Sequence, residues 1–201
     1  MKISEIDSNL KAAAGIKEQD AVFKSCFDMP FEIRGLANPK ESGKLYRVSE
    51  SIFPMASDIL IYLSKCTAGG RVRFRTDSPY IIVMVELTAG DRIMPHMPIT
   101  GISGVDLYTG SGKNCKYKKT IIPPSHQEKE YGDIYYLQIK NNKGNKTEDI
   151  TLNLPLYNGV DNLYIGLKKD SKLEAPLPYS INKPMVYYGS SITQGDNQTY
   201  I

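Results

Sequence analysis

The chain reads as an all-β protein, a β-sandwich of about ten short strands, and three observations carry that reading. Apolar and polar residues alternate through Val72, Phe74 and Thr76, set between Arg71, Arg73 and Arg75, and again through Ile150, Leu152 and Leu154, set between Thr151 and Asn153. Period-two alternation gives a strand one dry and one wet face. Turn formers punctuate the sequence at Asp77-Ser78-Pro79, Ala89-Gly90-Asp91, Gly110-Ser111-Gly112, 141–145, Tyr157-Asn158-Gly159 and Lys169-Asp170-Ser171. The aromatic residues are 14 tyrosines and 5 phenylalanines with no tryptophan. Tyrosines in runs such as Asp133-Ile134-Tyr135-Tyr136-Leu137-Gln138-Ile139 suit half-buried sheet surface.

Taken in order, residues 2–19 place Ile3, Ile6, Leu10, Ala13 and Ala14 at near-helical spacing that ends by Gly15, which predicts a short peripheral helix or a disordered arm. A strand is expected at 31–34. Ser57 or Asp58 opens a helix of one or two turns over 57–64. The alternating strand at 71–76 is followed by Ile81-Ile82-Val83-Met84-Val85-Glu86-Leu87, a denser run that predicts a central strand buried on both faces. Further strands are expected at 104–109, 116–122, 133–139, 150–154 and 163–167. Residues 172–183, with Pro176 and Pro178 and then Pro184, read as a linker. After it Met185-Val186-Tyr187-Tyr188 reads as a fresh strand. The predicted organisation is an N-terminal arm or short helix at 1–27, a sandwich at 28–182, and the start of a second unit at 183–201.

Composition bounds the function. Of 47 charged side chains, 25 are basic and 22 acidic, leaving a net charge of +3, too small a surplus to form a phosphate-binding face. Lys113, Lys116, Lys118 and Lys119 are expected on a solvated strand face, and neither nucleic acid nor membrane is an expected partner. The longest apolar run spans residues 80–85, far short of the roughly 20 residues a membrane-spanning helix needs. The N-terminus lacks the apolar stretch of a secretory leader. That leaves the compartment open, since an exported protein cloned without its signal would read the same way. Cysteine is odd in number, at Cys26, Cys66 and Cys115, without a pair at two-residue spacing, and the histidines are His96 and His126. Neither a disulfide framework nor a metal site is expected.

Chemistry is expected near the C-terminus, where the strand at 185–188 runs into Gly189-Ser190-Ser191-Ile192-Thr193-Gln194-Gly195. A tight turn after a strand lifts a serine onto the start of the next helix, where its hydroxyl is exposed and backbone N–H groups can hold an oxyanion. Thr193 stands where the Gly-x-Ser-x-Gly elbow has its second glycine, which argues against an α/β-hydrolase. The block resembles instead the first block of GDSL or SGNH hydrolases, Gly-Asp-Ser-(Leu/Ile)-Thr, with Ser191 at the nucleophile position. Met94-Pro95-His96-Met97-Pro98-Ile99-Thr100-Gly101-Ile102-Ser103-Gly104-Val105-Asp106-Leu107-Tyr108 resembles the signature of the GxDLY domain found ahead of SGNH-type esterases. Leu154-Pro155-Leu156-Tyr157-Asn158-Gly159-Val160, then Leu163-Tyr164-Ile165-Gly166-Leu167, resemble it too, as does Lys183-Pro184 leading into the serine block. The resemblance implies a jelly-roll accessory domain for a serine esterase that acts on ester bonds, with acyl groups on carbohydrate as substrate class and with neither a metal nor an organic cofactor.

The same resemblance implies a general base from an Asp-x-x-His block. Both histidines precede Ser191, neither follows an aspartate by three residues, and ten residues remain after the serine. A serine without a base is a poor nucleophile at neutral pH. The chain alone is therefore expected to be inactive, with the missing SGNH catalytic domain as its partner and an ester or glycan as substrate. His96, Asp106 and Tyr108 are expected at the substrate or the domain interface. Each also has a plainer reading: His96 as a packed or surface residue, Asp106 as a holder of backbone N–H groups, and Tyr108 as sheet packing. The alternative is a free-standing carbohydrate-binding sandwich using Tyr108 and Tyr157 as its platform. Without a covering domain, the apolar segment at 185–188 would favour self-association.

Overall fold

A computed structural model describes residues 20–88, 94–122, 134–140, 146–181 and 183–195, the strand at 134–140 through its backbone. Two antiparallel sheets form a sandwich. The first has the order β1 (Ala21–Ser25), β9 (Val160–Lys168), β4 (Tyr80–Leu87), β7 (Ile134–Lys140). The second has the order β10 (Leu173–Glu174), β3 (Arg71–Thr76), β8 (Glu148–Asn153), β5 (Val105–Thr109), β6 (Lys116–Ile121), with β2 (Glu32–Arg34) also paired to β3.

Alternation decides which side chains meet between the sheets. Val72 and Phe74 of β3, Ile150 and Leu152 of β8, and Val105 and Leu107 of β5 face Val83 and Val85 of β4 and Leu163 and Ile165 of β9 in one core cluster. All ten are at most 2% exposed. Phe31 and Phe74 meet edge to face with ring centroids 5.1 Å apart, a geometry aromatic quadrupoles favour. The other side of β4 is dry as well: Ile82 and Met84 join Phe23 and Tyr80 in a second cluster. The run at 81–87 is thus a central strand buried on both faces, as its composition predicts, with Glu86 half-buried.

Short helices interrupt the strand order at α1 (Pro39–Ser42), α2 (Asp58–Lys65) and α3 (Ile99–Ser103). The helix expected at 57–64 is α2, with Ser57 at its N-cap position. A 3-10 turn at Glu50–Met55 precedes it, and there Ser49 accepts a hydrogen bond from the Ser51 amide. Among the described residues no helix is long and apolar enough to cross a membrane. The three cysteines are free thiols, with Cys26 and Cys66 buried and Cys115 exposed. Burial pushes the Cys26 thiol up to about 12.

In three places the structure differs from the expectation. Ala21–Ser25, placed in the N-terminal arm, is the edge strand β1, paired from Ala21↔Lys168 to Ser25↔Tyr164. The remainder of that arm, with its expected helix at 2–19, lies outside the described residues, as does His126. The stretch at 172–183 is no loose linker. The Thr76 hydroxyl donates to the Lys172 carbonyl and Asp77 accepts from the Lys172 amide. Arg73 donates to the Leu177 carbonyl at 2.7 Å and stacks under the Tyr179 ring at 3.8 Å. The prolines hold the chain extended, and Arg73 straps it across the outer face of the second sheet. Met185–Tyr188, expected as a strand, lies outside the ladders of both sheets among the described residues.

Candidate functional site: a seated serine turn and the cleft beside it

Two elements of the sandwich meet below the C-terminal serine. One is the loop after β8, residues 154–159. Its carbonyls are satisfied from Thr67, whose hydroxyl donates to Pro155 and whose amide donates to Asn158 at 3.1 Å. The Asn158 side chain donates to Ser103 Oγ at 2.9 Å and accepts from the Gly159 amide at 2.9 Å. A loop held at so many points fixes the two residues at its centre, Leu156 and Tyr157. The other element is the C-terminal end of α2, where Arg47 donates to the Leu63 carbonyl.

Onto these sits the serine turn. Ser191–Gln194 forms α4, one helical turn closed by Gln194 N–H to Ser190 O and Gly195 N–H to Ile192 O. Gly195 ends it at φ 104°, a left-handed conformation, and a Cβ there would lie 2.7 Å from Leu156 Cδ1. The left-handed φ is what calls for glycine here. Tyr157 Oη donates to the Ser191 carbonyl at 3.1 Å. Gln194 Nε2 donates to the Leu156 carbonyl at 2.8 Å, and Gln194 Oε1 accepts from Arg47 Nη2 at 3.3 Å. Desolvation lowers the Arg47 pKa from its ordinary value. The Ser191 side chain itself is exposed, and among the described residues its hydroxyl has no hydrogen-bond partner. The turn is held by its backbone and by Gln194, leaving the hydroxyl to solvent.

The structure distributes the sequence-predicted residues over two neighbouring patches. His96 lies exposed at the tip of a tight turn closed by a Met94–Met97 bridge. Met97 points inward and packs with Ile102 and Tyr157, so the His96 turn rests against the residue that holds Ser191. Tyr157 is 5% exposed and hydrogen-bonded to the serine turn, which removes it as a stacking platform for a glycan.

Asp106 and Tyr108 project from the outer face of β5, opposite Val105 and Leu107 in the core. Asp106 Oδ1 accepts from Thr120 Oγ1 at 2.5 Å, and the same Thr120 oxygen lies 2.8 Å from Tyr117 Oη. Burial raises the Asp106 pKa above the usual carboxylate range, partly offset by the Thr120 bond. Tyr108 and Tyr117 pack edge to face at 5.6 Å. Gly104, which opens this segment, is required by close approach: a Cβ there would overlap the Thr100 carbonyl oxygen and lie 2.7 Å from Thr120 Cγ2. Asp106 also lines a cleft of about 130 Å³, whose walls include Gly70, Arg71, Thr100, Asn153 and Leu156. Leu156 is shared, since it lines the cleft and its carbonyl holds Gln194.

Sequence reasoning missed Arg47 and Gln194 and gave Tyr157 another task. No local signal marks Arg47, which lies 147 positions from its partner.

The fold and the seat together define a two-sheet β-sandwich that presents a serine on a short helical turn. The chain belongs to the GxDLY family, described as the N-terminus of esterases of the SGNH-hydrolase type, whose sequence profile matches residues 22–173. Two solved structures share the fold. One is a GDSL-like lipase from Bacteroides ovatus, 20% identical, with a TM-score of 0.66 over 78% of this chain and 43% of that one. The other is a salicylyl-acyltransferase from a tetracycline biosynthetic pathway, 17% identical, with a TM-score of 0.60 over 81% of this chain and 44% of that one. The chain thus spans less than half the length of either neighbour. No curated protein matches it.

Proposed function

We propose that this chain is the accessory sandwich of an SGNH-type serine esterase that removes acyl groups from carbohydrate, and that its work is to seat the nucleophile's turn. The observation that carries this reading is the triple hold on residues 191–194 by Tyr157, Leu156 and Arg47, which leaves the Ser191 hydroxyl exposed. In the complete enzyme a histidine of the partner catalytic domain takes the Ser191 proton as Oγ attacks the ester carbonyl. The alcohol leaves with a proton from that histidine, and water then releases the acyl group from Ser191. A seat fixed by the sandwich keeps Oγ in line for attack, which is where positioning contributes to rate. His96, on the turn packed beside Tyr157, faces the substrate or the domain junction.

By itself the chain lacks the base and is inactive. With Met185, Val186, Tyr187 and Tyr188 between 73% and 101% exposed, it self-associates through that segment unless the catalytic domain covers it. Light scattering reads this directly: mass rising with concentration is expected, and a clean monomer at all concentrations contradicts it.

The test of function places the 201-residue chain and the longer protein carrying the catalytic domain side by side on p-nitrophenyl acetate. Turnover is expected from the longer protein alone and is lost in Ser191→Ala. Turnover by the 201-residue chain that survives Ser191→Ala would overturn the reading.

A further inference from the structure

The cleft beside the serine turn has a specific chemical make-up. Register places Arg71 opposite Asn153 and Asn153 opposite Asp106, on three adjacent strands of the second sheet. Their sequence neighbours Val72, Leu152 and Leu107 are in the core, so all three polar side chains project from the same outer face. Together they form one wall of the cleft, with Thr100 and Gly70 at its rim and Leu156 between it and the serine turn. Arg71, Asn153 and Asp106 are all half-buried. Among the described residues neither the Arg71 guanidinium nor the Asn153 amide has a side-chain partner, and Asp106 receives only the Thr120 hydrogen bond, on Oδ1. Half-buried groups that retain unused donors and acceptors are poised for a ligand.

Charge selects the class of ligand. Arg71 and Asp106 flank Asn153 and cancel, so an anion meets the Asp106 carboxylate and a cation meets the Arg71 guanidinium. A neutral group rich in hydroxyls offends neither: its O–H groups donate to Asp106 and to the Asn153 carbonyl oxygen, and its oxygens accept from Arg71 and the Asn153 amide N–H groups. Leu156 supplies an apolar contact for the C–H face of a ring. At about 130 Å³ the cleft is below the roughly 300–1,000 Å³ of pockets that enclose a whole ligand, so it takes one ring rather than an extended chain.

We infer that the Arg71–Asn153–Asp106 cleft is a binding subsite for a neutral polyhydroxylated ring, the alcohol half of the ester presented to Ser191. As a substrate subsite it rests on the esterase reading; as a binding site on this chain it does not.

The test is an amide-resolved NMR titration of the 201-residue chain with methyl glucoside, methyl galactoside and methyl mannoside, with methyl glucuronoside and inorganic phosphate as anionic probes. Shifts are expected at Gly70, Gly104, Asn153 and Leu154 with at least one neutral glycoside. Binding should weaken at least tenfold in Asp106→Asn and in Asn153→Ala, each checked for an otherwise unchanged amide spectrum. Absence of shifts with every neutral glycoside, preference for an anion, or shifts centred on Tyr108 and Tyr117 would each overturn the assignment. In the longer protein the two claims separate. If Ser191-dependent hydrolysis of p-nitrophenyl acetate is present but Asp106→Asn and Asn153→Ala leave KM for an acylated methyl glycoside unchanged, the subsite fails alone. If the glycoside binds yet Ser191→Ala changes no activity, the esterase reading fails and the binding site stands.

Discussion

Strands β4 and β9 keep most of their side chains from water, with Val83 and Ile165 wholly enclosed, whereas among the described residues the segment at 183–195 is tied to the sandwich by side-chain hydrogen bonds from Tyr157, Gln194 and Arg47. The first region is held by area and close packing, the second by direction. Apolar burial at about 25 cal/mol per Å² makes the core strong and indifferent to small changes of angle. Hydrogen bonds contribute only about 0.5–1.5 kcal/mol each, but they fix where the Ser191 backbone lies. A serine seated in this way is placed by the sandwich without being buried in it.

Substitutions can break that contrast, and the largest effect belongs to the core. Leu152→Ala opens a cavity at a fully enclosed position and is expected to cost about 2–5 kcal/mol in chemical denaturation. Ser191→Ala, at an exposed position, should leave the denaturation midpoint unchanged. Thiol labelling sharpens the same division. Exposed Cys115 should react within the first minutes, while buried Cys26, its thiol pushed up to about 12, should wait for unfolding. Labelling of Cys26 as fast as Cys115 under native conditions would show that the core opens.

A smaller effect is expected at the seat. Tyr157→Phe keeps the ring among Met97 and Ile102 but removes the bond to the Ser191 carbonyl. Hydrogen exchange at the Gln194 and Gly195 amides should quicken about two- to twelvefold, the equivalent of one such bond, with the core amides unaffected.

The smallest effect concerns pH. The folded state raises the Asp106 pKa, so the folded chain holds this proton to higher pH than the unfolded chain does, and ionisation of Asp106 works against folding. The contribution is full below the unfolded pKa and is lost as pH rises through the folded one. Asp106→Asn should therefore match the wild type in thermal midpoint at acidic pH and exceed it slightly at neutral pH. A neutral-pH midpoint below the wild type would contradict the desolvation argument.

The parts of the fold legible in the sequence were those whose reason is local. Alternation at 71–76 and 150–154 and the dense run at 81–87 each report a sheet face, and each is a strand in the structure. The serine turn was legible because Gly189 and Gly195 bound a short block whose second glycine can take the left-handed conformation that ends the turn. What was not legible depends on distant partners. Ala21–Ser25 becomes a strand by pairing with residues 164–168 at a sheet edge, which no short window reveals. The proline stretch at 172–183 becomes a strap because Arg73, some hundred positions earlier, holds Leu177 and Tyr179. Tyr157 looked like half of a sugar-stacking platform, and only the fold shows its hydroxyl aimed at the Ser191 carbonyl. The cleft, too, exists only because register aligns Arg71, Asn153 and Asp106 across three strands.

The proposed role of Ser191, a nucleophile seated by the sandwich, can be read by covalent labelling of the longer protein with a fluorophosphonate. A single adduct is expected, located by mass spectrometry on the peptide containing Ser191, with labelling at least severalfold slower in a Tyr157→Phe, Gln194→Ala double variant that remains folded. An adduct on another residue, or a double variant labelled as fast as the wild type, would contradict it.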